Sequence, residues 1–130
     1  MSDPRDVSGV WYGRWDSDNP AIYPNGFIAV LEEIVGAVNG TTSEPDPHGD
    51  TLRAAVSGTR HGASIEWVKQ YDRSGRLGHA VHYRGTVNDD ATAIDGSWSM
   101  ARYRGRFTMQ REKFSVEALE AEEAVVVTLR

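Results

Sequence analysis

Polar and apolar positions alternate along most of the chain with a period of two, the spacing of a strand with one buried face. Eight segments carry this pattern and are rich in β-branched and aromatic residues: 7–15, 26–33, 35–43, 51–60, 63–71, 77–87, 92–99 and 103–111. Turn-forming runs separate them, including Asp-Ser-Asp-Asn-Pro at 16–20, Pro-Asn-Gly at 24–26, Glu-Pro-Asp-Pro-His-Gly at 44–49, His-Gly at 61–62, Asp-Arg-Ser-Gly at 72–75 and Asn-Asp-Asp at 88–90. None of these connections is long enough for a parallel crossover helix, so each neighbouring pair is expected to be antiparallel. With no helix to cover a face, the chain is expected to curl into a closed eight-stranded up-and-down barrel, an all-β fold that buries one face and removes the exposed edges.

Alternation sorts the side chains into two sets. Following the large apolar residues, the inner set is Trp11, Phe27, Leu31, Val35, Leu52, Val56, Ile65, Trp67, Val81, Tyr83, Ile94, Trp98, Phe107 and Met109. The outer set includes Tyr12, Arg14, Glu32, Arg53, Glu66, His82, Arg84, Asp95, Arg104 and Arg106. A one-residue error in register would invert a whole strand. Residues 112–130 break the rhythm: 115–124 carries good helix formers behind Ser115, and 125–129 reads as extended. The expected organisation is therefore one barrel domain over 1–111 and a C-terminal tail over 112–130, either helical and then extended or disordered.

Composition narrows the classes. At 130 residues the chain fits a single domain, and with no cysteine it has neither disulfides nor thiolate chemistry. Its longest apolar runs, such as 27–31 and 124–127, are far too short for a membrane helix, and the first residues lack a signal-peptide core. A soluble cytoplasmic protein with no membrane partner is the expectation. The net charge of −5 conceals an asymmetry: residues 1–50 sum to −7, 51–111 to +5 and 112–130 to −3. With an acidic balance and only two lysines, a nucleic-acid partner is not expected. Arg102, Arg104, Arg106 and Arg111 form a local exception, read either as a solvated outer face or as an anion site.

Several motifs together resemble the avidin and streptavidin family: Gly9-Val10-Trp11-Tyr12, Gly36-Ala37-Val38-Asn39-Gly40-Thr41, Ile65-Glu66-Trp67-Val68-Lys69, Tyr83-Arg84-Gly85, the Ile94 to Trp98 strand, and Gly105 with Phe107-Thr108. The likeness spans about residues 7–111 and overlaps the wider calycin pattern of a Gly-x-Trp strand opening a small barrel. It implies a ligand-holding barrel and a homo-dimer or tetramer. The family's biotin contacts are not matched. Gly13 stands where the family has an Asn, Thr42 where it has a Tyr, and the Arg106-Phe107 neighbourhood where it has an Asp.

An eight-stranded barrel is just wide enough to be filled by side chains or to hold one small ligand. The candidate cavity residues are Trp11, Asn39, Trp67, Lys69, Tyr71, His79, Tyr83, Trp98 and Phe107. The aromatic members either pack as core or line an apolar pocket. Inward polar residues need a partner or a wet cavity, and Glu33, Asn39, Thr41, Arg60, Lys69, Tyr71 and His79 are the expected ones. Lys69, Tyr71 and His79 would form one polar spot on an aromatic wall, which suits ligand orientation. His79 and His82 point to opposite faces of a strand, so no shared metal is expected, and no cofactor fingerprint or nucleophile motif is present. The leading expectation is a barrel binding a small apolar or aromatic molecule, without catalytic residues. The competitors are an isomerase- or cyclase-type enzyme with His79 as base, and a filled barrel acting as a protein-interaction module.

Overall fold

The computed structural model describes residues 3–72 and 80–112. Its strands are β1 (Gly9–Trp15), β2 (Asn25–Ile34), β3 (Ala37–Pro45), β4 (Thr51–His61), β5 (Ser64–Tyr71), β6 (Val81–Val87), β7 (Ala93–Met100) and β8 (Tyr103–Gln110). Each pairs antiparallel with the next, and β1 pairs with β8, so the sheet closes into a barrel in simple sequence order. His79 and the tail from 113 onward lie outside the described residues.

The inner set is largely as the alternation predicts. Twelve of its residues are buried, from Trp11 on β1 to Met109 on β8, and all ten outer residues are exposed. Leu52 is only partly buried, at the start of β4. Val35 is a correction. It sits fully exposed at the tip of the β2–β3 hairpin with φ of +48°, followed by Gly36 at +79°. Positive φ at both central residues defines the tight two-residue turn whose twist matches a hairpin. This turn pairs Ile34 with Ala37 and therefore Glu33 with Val38. β3 is consequently one residue out of phase with the expectation. Val38, Gly40, Thr42 and Glu44 face inward, while Asn39 and Thr41 face solvent.

The interior has two unlike walls. On β5 to β8, one cross-strand row runs Trp67, Tyr83, Trp98, Gly105. The Trp67 and Tyr83 rings stack at 5.1 Å, and Phe107 meets each edge-on, at 5.3 and 5.1 Å. On β2 to β4 the facing row is small: Ala29, Thr42, Ala54. Phe27 fills the space over Gly13, where a Cβ would fall 2.1 Å from the ring. That close approach is the physical reason a larger residue does not fit there.

Candidate functional site

The two ends of the barrel are built differently. At one end, where β2, β4, β6 and β8 finish, the N-terminal segment is clamped. Arg60 donates to both Glu33 carboxylate oxygens at 2.6 and 2.8 Å, to Asp3 Oδ2 at 2.7 Å and to the Gly62 carbonyl at 2.6 Å. These bonds push the Arg60 pKa up, the Glu33 bond most, and the Arg60 bond holds Asp3 below its usual value. Val7 is fully buried, and its carbonyl accepts from Trp11 Nε1 at 2.9 Å. The Arg111 guanidinium lies 4.3 Å from the centre of the Trp11 ring and donates to the carbonyls of Asp6 and Ala91, each at 2.7 Å, and to that of Ser8. Together the Arg60 and Arg111 contacts hold the N-terminal segment across this end.

The opposite end is rimmed by Trp15, Tyr71, Met100 and Tyr103, all only partly buried against the core. Just inside sits Glu44, the last inward position of β3. Its Oε1 accepts from Lys69 Nζ at 3.1 Å and from the Tyr71 hydroxyl at 2.7 Å. Its Oε2 accepts from Trp15 Nε1 at 3.1 Å and Asn25 Nδ2 at 3.3 Å. The Lys69 and Glu44 side chains are only 3% and 2% exposed, so this is an ion pair fully withdrawn from water. Burial alone would lower the Lys69 pKa. The oxygens of Tyr83, Tyr71 and Glu44 outweigh it and hold the ammonium above its ordinary value. Burial raises both Tyr71 and Tyr83. All three groups therefore keep their protons through neutral pH.

One inward position deeper on β3, the Thr42 hydroxyl is buried with no hydrogen-bond partner among the described residues. Its row neighbours are Ala29 and Ala54, whose methyl groups cannot offer one. A buried hydroxyl without a partner costs about 1–3 kcal/mol, and none of the described residues supplies one here.

Of the sequence-predicted site residues, Lys69, Tyr71 and Tyr83 come together around Glu44. Trp67 and Phe107 pack beside Tyr83 as core, and Trp98 meets Trp15 edge-on at 5.8 Å near the rim. Trp11 belongs to the opposite, clamped end, and Asn39 is outside the barrel. Glu44, Asn25, Trp15 and Thr42 were not among the predicted set. Glu44 opens a run that reads as pure turn chemistry, and only counting alternate residues from Val38 reveals it as inward.

The fold and its end define the class: a closed eight-stranded antiparallel barrel with one clamped end and one rimmed by half-buried aromatic residues. Among solved structures it is similar to a de novo designed fluorescence-activating β-barrel, with a TM-score of 0.62 and 11% identity over 86% of this chain and all of that one. No family model and no curated protein matches the chain. At that identity the likeness establishes the barrel architecture. Among the described residues, no helix is long and apolar enough to cross a membrane.

Proposed function

We propose that the protein is a small-molecule binding barrel that takes an apolar or aromatic ligand at the Glu44 end, with one hydrogen-bonding head group directed at Thr42. The buried Thr42 hydroxyl, without a partner among the described residues, carries this reading. Beside it, Lys69 and Tyr71 are already positioned by Glu44, while Trp15 and Tyr103 offer aromatic surface at the rim. The protonated state of Lys69, Tyr71 and Tyr83 favours orientation over proton transfer, because a general base works best with a pKa near the operating pH. The similarity to a designed fluorescence-activating barrel is consistent with a fold that can hold a small molecule.

Native mass spectrometry of protein purified from its own host should retain one small molecule per chain, released on denaturation. Thr42→Val then separates the readings. It should stabilise the apo barrel by about 1 kcal/mol, by removing an unpaired buried hydroxyl, and weaken the retained ligand roughly tenfold. A clean apo protein that also gives no saturable fluorescence enhancement with the neutral probe N-phenyl-1-naphthylamine would overturn the proposal.

A second reading concerns assembly and is independent of the ligand. Val10 pairs with Val30 and Tyr12 with Ile28 on the outer face of β1 and β2, and all four are 45–64% exposed. Such contiguous apolar surface supports a homo-dimer or tetramer through this face. Sedimentation should show an oligomer that Val30→Lys dissociates, and a monomer at micromolar concentration would remove the reading.

A further inference from the structure

The outer face of a barrel is convex, yet a trough of about 890 Å³ lies across β4 to β8 here. The register explains it. Two outward rows cross β6, β7 and β8: His82–Ser99–Arg104 and Arg84–Ser97–Arg106. In each row a short serine on β7 is flanked by longer side chains on the neighbouring strands, so the serines form a floor and the basic residues form walls. Strand spacing places the two walls about 10 Å apart and the two rows about 7 Å apart, a span that suits a tetrahedral anion seated over the serine hydroxyls.

The charges facing the trough favour an anion. The acids are Glu66, which approaches Arg84 at 3.9 Å in a largely exposed pair, and Asp18 at the rim. An exposed pair at that distance holds its arginine weakly, leaving the guanidinium free to turn to a ligand. Arg104 and Arg106 make no side-chain hydrogen bond or ion pair among the described residues, although their backbones are fixed by Asp18 and Asp16. Guanidinium forks match phosphoryl oxygens in bidentate geometry, and serine hydroxyls supply further donors.

We infer that this trough is a second binding site, separate from the barrel interior, for a phosphoryl group held by Arg84, Arg104 and Arg106 over Ser97 and Ser99. The phosphoryl group can belong to a soluble phosphate compound or to a lipid headgroup, which share this chemistry.

The test follows backbone amide and arginine side-chain NMR signals of the full chain during titration with pyrophosphate. A parallel arm measures sedimentation with vesicles of phosphatidylcholine with and without phosphatidic acid. The expected result is saturable shifts centred on Ser97, Ser99 and Arg106, weakened at least tenfold in Arg104→Gln/Arg106→Gln and strengthened several-fold in Glu66→Gln. These residues are exposed, so the thermal midpoint of the variants should match the parent and N-phenyl-1-naphthylamine binding should be unchanged. Arginine-dependent binding only to vesicles containing phosphatidic acid would support the site and assign the lipid source. Absence of binding in both arms, or binding that survives the double substitution, would overturn it.

Discussion

Both ends of this barrel contain a buried ion pair, but they use it differently. At the clamped end, Arg60 spends its donors on Glu33, Asp3 and Gly62, and the same Glu33 oxygen accepts from the Val7 backbone at 3.3 Å, so the pair holds a segment of chain in place. At the Glu44 end, among the described residues, Glu44 gathers side-chain donors from β1, β2 and β5, of which Asn25 also donates to the Pro45 carbonyl. It organises side chains near Thr42, whose hydroxyl has no partner among the described residues. A buried pair is poor evidence for stability by itself, since apolar residues of similar size often do as well or better. The clamped pair ties down a chain segment, whereas the Glu44–Lys69 pair ties together side chains of β1, β2, β3 and β5.

The largest expected effect tests that contrast directly. Trp11→Ala should cost about 3–5 kcal/mol in urea unfolding, as large aromatic truncations in a packed core do. Arg60→Ala should cost about 3 kcal/mol by leaving Glu33 buried and unpaired. Both side chains make their hydrogen bonds at the clamped end, so probe affinity measured on the folded fraction should hold. The paired replacement Glu44→Leu/Lys69→Met should cost less than Arg60→Ala, about 1–2 kcal/mol, because it leaves no buried charge but strands the Trp15 Nε1 and Tyr71 hydroxyl donors, while retained ligand is lost. If that double variant unfolds as readily as Arg60→Ala, the Glu44 cluster is structural and the comparison fails.

The contrast between the ends was only half legible in the sequence. Strand count, order and the two faces follow from period-two alternation, which is why Trp67, Tyr83 and Phe107 were placed inside correctly. The phase of β3 was not legible, because a valine at a positive-φ turn position resembles the first residue of a strand. That single displacement hid Thr42 and Glu44 and promoted Asn39. Nor does alternation say which end of a strand meets which cluster. The separation of Trp11 from Lys69 emerges only from the closed register.

pH should separate the ends at opposite extremes. Asp3 has a lowered pKa, so its contribution is present above the ordinary carboxylate value of 3.8 and is lost as pH falls through its folded value. Lys69, Tyr71 and Tyr83 have raised pKa values, so their contribution is complete below the unfolded values of 10.5 and 10.0 and is lost as pH rises through the folded ones. Acid should therefore loosen the N-terminal clamp first, seen as faster amide exchange at Val7. Alkali should loosen the Glu44 end, with a delayed tyrosinate component that coincides with loss of near-ultraviolet dichroism. A tyrosinate titration completed before any loss of structure would contradict the buried placement of Tyr71 and Tyr83.

The smallest effect concerns the turn that sets the phase of β3. Val35 holds a left-handed backbone that a β-branched side chain adopts at a cost of order 1 kcal/mol, and its side chain is fully exposed and so gains nothing in return. Asparagine before Gly36 is the favoured pair for this turn, so Val35→Asn should raise the unfolding free energy by about 1 kcal/mol and leave probe binding untouched. The same residue tests the register that places Thr42 and Glu44 inside. If β3 were shifted by one residue, position 35 would be an inward strand residue, and asparagine there would destabilise the barrel and disturb the Glu44 end. Stabilisation with unchanged binding is the outcome expected of a turn.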